Sequence, residues 1–168
     1  RVRPDRWPTD PAEFEAKRRK YPRMVNEWWK YWNARPALYT AIARLDRVLV
    51  MSRVGKTLMP SLVPNGYVFS DRLVVFAVQD PAHLALLSSS IHRAWALEYG
   101  STLRQDPIYN PTGCFETFPL PPGIEVLRGL GERLLVARRM IMTERNIGLT
   151  ETYTLLAKSS APDLIALR

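Results

Sequence analysis

Two signals standing back to back fix most of what this chain can fold into. Arg72 to Val78, RLVVFAV, is a nearly continuous β-branched and aromatic run, which predicts a strand buried on both faces and therefore the centre of a sheet. Asp80 and Pro81 follow, a cap residue and then proline at a first helical position, and Leu84, Leu87, Ile91 and Trp95 recur at spacings of three and four before Gly100. The expectation is one helix from Asp80 to Gly100 that buries those four residues and leaves Ser89 and Arg93 off the stripe. With 168 residues and 46% hydrophobic content, the chain is long enough to bury a real core around that pair.

The flanking sequence adds a second sheet signal and two helical regions. Arg47 to Arg53, RVLVMSR, alternates as a strand with Val48 and Val50 on one face, and its partners are expected after Gly55. Pro64, Asn65 and Gly66 form a turn between Lys56–Met59 and Tyr67–Ser70. Ile108–Tyr109 and Gly113–Phe115 read as short strands broken by Asn110 and Pro111, and the prolines after Phe118 stop further pairing. Leu127, Leu130, Leu134, Ala137 and Ile141 predict a packing helix over 123–142, and Thr150 to Lys158 predicts another. At the start, Thr9 or Asp10 caps a helix with Pro11 in its first turn and Lys17 to Lys20 at its far end. The abrupt basic start reads as that of a fragment. The Trp28, Trp29 and Trp32 cluster reads as a core anchor or as a stacking platform.

Charge narrows the partner. Lys and Arg total 24 against 16 Asp and Glu, a formal +8, and 19 of the 24 are arginine. A small domain with that excess attracts polyanions, and the guanidinium fork suits both phosphates and the guanine edge. Ten of the basic residues fall in the first 35, against five acidic ones, so part of the excess belongs to a basic arm. No apolar run approaches the length of a membrane span, and the one cysteine, Cys114, can make no internal disulfide, which together point to the cytoplasm.

Catalytic signatures are missing. The sequence has no glycine-rich nucleotide turn, no P-loop, no HExxH and no nuclease-type carboxylate pair with lysine. Asn110 and Pro111 are followed by Thr112, so the only near match to an Asn-Pro-Pro-aromatic methylase motif is a turn. Ser88, Ser89 and Ser90 lack the glycines of a nucleophile elbow, and His83 and His92 have no carboxylates placed to complete a metal site. His92 is left with two readings, a core histidine or a polar contact to DNA, and Cys114 reads as a small buried hydrophobe.

From Leu86 to Pro122 the order of residues is more specific than any single piece. Ser89, Ser90, His92 and Trp95, then Gly100, Ser101 and Leu103, then Tyr109, then Phe118, Pro119 and Pro121 resemble the target recognition domain of MmeI-like, type IIL and related type IIG restriction-modification methyltransferases. Trp28 to Trp32 with Arg35 and Pro36, Val50 to Lys56, and Asn146 to Leu156 are similar to further segments of that family. Leu120 departs from it, standing where an aromatic is frequent, and the helical tail is short. The resemblance implies a DNA-reading module. A methyltransferase domain outside this chain would bind S-adenosylmethionine and methylate adenine N6, and no cofactor is expected here.

The sequence thus predicts an α+β fold, a twisted, mainly antiparallel sheet flanked by helices and followed by a partial helical spacer. Residues 1–23 are read as a basic lead-in and helix, 24–122 as the recognition domain and 123–168 as the spacer. The chain is expected to bind double-stranded DNA without catalysis, beside the methyltransferase domain of its parent and away from any membrane. The expected contacts are Ser52, Arg53, Lys56, Ser89, His92, Arg93, Ser101, Arg104, Gln105 and Tyr109. Two other classes compete: a protein-docking module built on the tryptophans and the 123–142 helix, and a single-strand binder stacking bases on Trp28, Trp29, Tyr31 and Tyr109.

Overall fold

A computed structural model describes residues 8–27, 35–103, 106–158, 161–165 and 167, and the chain divides into two compact units, Arg1–Thr40 and Ala41–Arg168. In the first unit, α1 (Pro11–Lys20) starts as expected: the Asp10 carboxylate accepts from the Ala12 N–H at 2.7 Å and Pro11 takes the first position. It buries none of its side chains, and its Lys17–Lys20 end faces the negative end of the helix dipole. After α2 (Pro22–Asn26), the tryptophan cluster lies outside the described residues. Helix α3 (Pro36–Ile42) leads into the second unit.

The second unit is α+β. Strands β1 (Arg47–Ser52), β2 (Ser61–Pro64) and β3 (Leu73–Phe76) form an antiparallel sheet in the order β2-β1-β3. The centre is therefore β1 and not the 72–78 run. Val48, Leu49, Val50 and Met51 are all buried, as a strand covered on both faces requires, whereas β3 alternates half-buried and buried residues. The hairpin expectation is also corrected: 56–59 and 67–70 form no strands, and the chain turns at Asn65, whose amide donates to the carbonyls of Ile42 and Leu45 at 2.6 and 2.9 Å. Leu49 and Met51 join Leu62, Val74, Phe76, Leu84, Leu87 and Tyr109 in the main core.

The outer edge of β2 is closed by its own sequence. Leu49 gives its N–H to Val78 on the β3 side, so its partner Leu62 turns its backbone groups away from β1. The outward carbonyls of Pro60 and Leu62 accept from Arg138 Nη1 (2.7 Å) and Arg47 Nη2 (3.3 Å). Pro60 and Pro64 have no N–H to offer, which leaves Leu62 as the one outward donor of this edge.

The predicted long helix is two. Helix α4 (Pro81–Leu87) is capped by Asp80 as expected, but α5 (Ser90–Tyr99) begins afresh with Ser89 as its cap, the hydroxyl accepting from the His92 N–H at 3.1 Å. The break resets the helical phase: Ile91 is 72% exposed, while His92 and Ala96 turn inward. Ile91→Lys should therefore change unfolding free energy by only about 0.5 kcal/mol or less in chemical denaturation, where a buried isoleucine would lose several.

Beyond Gly100, β4 (Ser101–Leu103) and β5 (Asp106–Ile108) pair as a separate two-stranded ribbon. Pro111–Cys114 is a short helix, α6, and not the strand expected over 113–115; the Cys114 thiol sits on the Ala96 carbonyl and is fully buried. A 3₁₀ turn (Ile124–Leu127) then opens α7 (Arg128–Glu144), which packs along α4, and α8 (Leu149–Lys158) and α9 (Pro162–Ile165) follow. Gly131 permits the α4 contact, because a Cβ there would overlap the Pro81 carbonyl.

Arg128 also grips the Asp80 cap through Nε at 3.1 Å. That guanidinium and the Ala82 N–H hold the Asp80 carboxyl down at about 2. Because its folded value is depressed, the stability it contributes is present above the ordinary carboxylate value of 3.8 and is lost as pH falls toward 2. Asp80→Asn should lower the melting temperature at pH 7, and the gap from the parent chain should close between pH 4 and 2.

Candidate nucleic-acid interface

Three of the eleven residues that carry the family-like order, His92, Tyr109 and Phe118, are buried in the core, while Ser90, Ser101, Leu103, Pro119 and Pro121 are exposed. His92 is 2% exposed and Tyr109 fully buried, which corrects their assignment as DNA contacts and also removes Tyr109 as a stacking platform. His92 Nδ1 lies 3.0 Å from the Leu87 carbonyl, which can only accept, so the proton sits on Nδ1. Nε2 then accepts from the Tyr109 hydroxyl, also at 3.0 Å. Burial pushes the His92 pKa down, partly opposed by its bond to Leu87, and pushes the Tyr109 phenol well up, so both stay neutral near pH 7.

Phe118 stacks edge-on against His92 at 4.9 Å and against Trp95 at 5.8 Å, and Trp95 Nε1 donates to the Thr117 hydroxyl at 3.2 Å. A histidine and a tryptophan on one helix thus both pack on the phenylalanine that precedes the prolines. Gly100 belongs to the same set, since a Cβ there would come within 2.9 Å of the Ile108 carbonyl.

The exposed polar residues gather around the ribbon instead. Arg53 gives its N–H to the Arg72 carbonyl and accepts from the Tyr109 N–H, both at 2.8 Å, and the Gly55 N–H reaches the Pro107 carbonyl at 3.2 Å. A bridge between Val54 and Ile108 completes the seam. The 52–56 loop is thus stitched between the end of β3 and the ribbon. Leu58 anchors its far side, buried although its φ of 42° is in the left-handed region that a leucine rarely adopts.

Ser101, Thr102 and Leu103 are all exposed, so β4 has no side chain in the core. Ser52, Arg53, Lys56 and Ser101 are all exposed on segments that this backbone seam joins, as is Arg72, a residue that sequence reasoning missed inside an apolar run. Arg53, Lys56 and Arg72 are exposed and form no salt bridge with a described carboxylate. Ser52 donates to the Val54 carbonyl at 2.7 Å and shapes the loop. Arg104 and Gln105, the two residues between the ribbon strands, lie outside the described residues. Arg93 is exposed on α5, and Ser89 is engaged as its cap; neither is joined to the ribbon seam by a hydrogen bond among the described residues.

Among the described residues, no three His, Cys, Asp or Glu side chains lie close enough to hold a metal, and no helix is long and apolar enough to cross a membrane. Burial raises the Cys114 pKa, which keeps the thiol protonated and inert. What the ribbon surface offers chemically is cationic forks, hydroxyls and backbone edges, the groups that hold phosphates and read bases.

A family profile described as MmeI, target recognition domain, matches residues 34–122, just over half of the chain, and spans the sheet, both central helices, the ribbon and the proline segment. No curated protein and no solved structure matches the chain.

Proposed function

The chain belongs to the MmeI target recognition domain family, a DNA sequence-recognition part of restriction-modification enzymes, and on that premise we propose that it reads duplex DNA through the β4–β5 ribbon and the 52–56 loop. The observation that carries this is the ribbon itself. A two-stranded ribbon fits the roughly 12 Å width of the major groove, and here all of β4 is exposed while its partner β5 is joined to a basic loop. Arg53, Lys56 and Arg72 supply phosphate or guanine contacts, Ser101 and Thr102 hydrogen bonds. Arg104 and Gln105, between the strands in sequence, are the natural base readers.

The chain itself carries out no chemistry in this reading. The parent enzyme is a cytoplasmic, type IIG-like adenine-N6 methyltransferase whose separate catalytic domain binds S-adenosylmethionine; the absence of any methylase motif from these 168 residues supports that division. Titration of the chain with its cognate duplex and a scrambled one across a salt series tests it. Affinity should fall steeply with salt for both, and the cognate site should retain an advantage when nonspecific binding is gone. Absence of binding to any duplex at low salt would overturn the reading.

A further inference from the structure

Arg47, Leu62, Leu135, Val136, Arg139 and Met142 line an open cleft of about 430 Å³ between β2 and α7. Apart from Ser61 and Thr143 its uncharged walls are apolar, and every charged group on it is a guanidinium: Arg47 and Arg139 at exposed positions, with Arg138 buried beneath them. No carboxylate is among its lining residues. Arg138 is already committed, through Nε to the Tyr153 hydroxyl (2.7 Å), Nη1 to the Pro60 carbonyl (2.7 Å) and Nη2 to the Ser88 hydroxyl (3.2 Å). Arg139 forms no salt bridge with a described carboxylate, and Val136 is 59% exposed beside it.

We propose that this cleft docks an acidic, aliphatic-bearing segment of the enzyme that carries the recognition module; the inference rests on the family assignment for the existence of that larger enzyme. Three observations select this occupant. The charge is uniformly positive and the walls are apolar, so the complement is a carboxylate beside an aliphatic side chain. The β2 edge is closed by two prolines and two arginines, which excludes docking by strand addition and leaves side-chain recognition. Arg47 opens β1 and Arg53 directly follows its last residue, six residues on and about 20 Å away at the rise of a strand, so the cleft is not a continuation of the ribbon surface. One end of the sheet faces the duplex and the other faces the protein that presents it.

A random dodecapeptide library displayed on phage and panned against this chain tests the assignment. Selected peptides should be enriched in Asp and Glu together with Leu, Ile or Met. A synthetic peptide of that consensus should bind at least tenfold more weakly to Arg139→Glu and to Val136→Lys, both surface changes, and undiminished to Arg53→Glu. A selection lacking that enrichment, or peptides indifferent to both cleft substitutions, overturns the proposal. So do peptides weakened by Arg53→Glu instead, because they would be mimicking phosphates on the ribbon surface. Duplex affinity of Arg139→Glu is measured alongside: retained affinity supports a separate protein-docking site, and lost affinity assigns the cleft to the DNA backbone and overturns it. If the unaltered chain binds no duplex yet selects the acidic peptides, the functional reading fails and the docking surface stands.

Discussion

His92→Ala should lower the unfolding free energy by about 3–5 kcal/mol, the range for a large buried side chain whose loss also orphans its hydrogen-bond partners. The imidazole is surrounded by Phe118 and Tyr109 rings and satisfies both the Leu87 carbonyl and the Tyr109 hydroxyl. Alanine leaves a cavity and two unpaired buried groups together. Tyr109→Phe removes only the hydroxyl and leaves Nε2 without a donor, so about 1–3 kcal/mol is expected. The two losses should not add, since they share one hydrogen bond. The folded-state His92 pKa lies below the ordinary 6.5, so the unfolded chain binds the extra proton as pH falls through 6.5. This contribution is therefore complete above 6.5 and lost below it, a limb that His92→Ala should lack. At temperatures where His92→Ala is still folded, its duplex affinity should match the parent's. A variant that is fully stable but has lost DNA binding would restore His92 to the interface.

Local chemistry made the helix starts legible: Asp10–Pro11 and Asp80–Pro81 behave as their sequences require, and Gly100 closes α5. Order among strands was not legible, because β1 and the 72–78 run have similar apolar content and only tertiary covering decides which is central. The failure at Ile91 has a definite cause. Serine suits both a helix surface and a cap, so 88–90 could be read through, and reading through them carried the periodicity of α4 one position out of phase into α5. Two core residues of the motif were misplaced at the site for a different reason. A polar His and Tyr in a basic chain invite assignment as contacts, yet here they hydrogen-bond to each other and His92 packs on Phe118. The arginines that the structure gathers at the ribbon meet only through long-range backbone hydrogen bonds, which spacing along the chain does not encode.

Reversing the charge at both Arg53 and Lys56 to glutamate should weaken duplex binding by about 3 kcal/mol or more, over a hundredfold, since each contact contributes roughly 1–3 kcal/mol and each reversal adds repulsion from phosphates. Both side chains are exposed and free of described salt bridges, while the loop that carries them is held by its backbone, through Arg72, Pro107 and Tyr109. Reversal should therefore leave the melting temperature nearly unchanged. Neutral replacements separate the two roles a cation can have there. If Arg53→Ala lowers affinity equally for cognate and scrambled duplexes and flattens the salt dependence by about one ion, Arg53 holds a phosphate. If the loss falls on the cognate duplex at a single base pair, it reads a base edge. Undiminished binding by the double reversal would remove the loop, with the charges of Arg53 and Lys56, from the proposed interface.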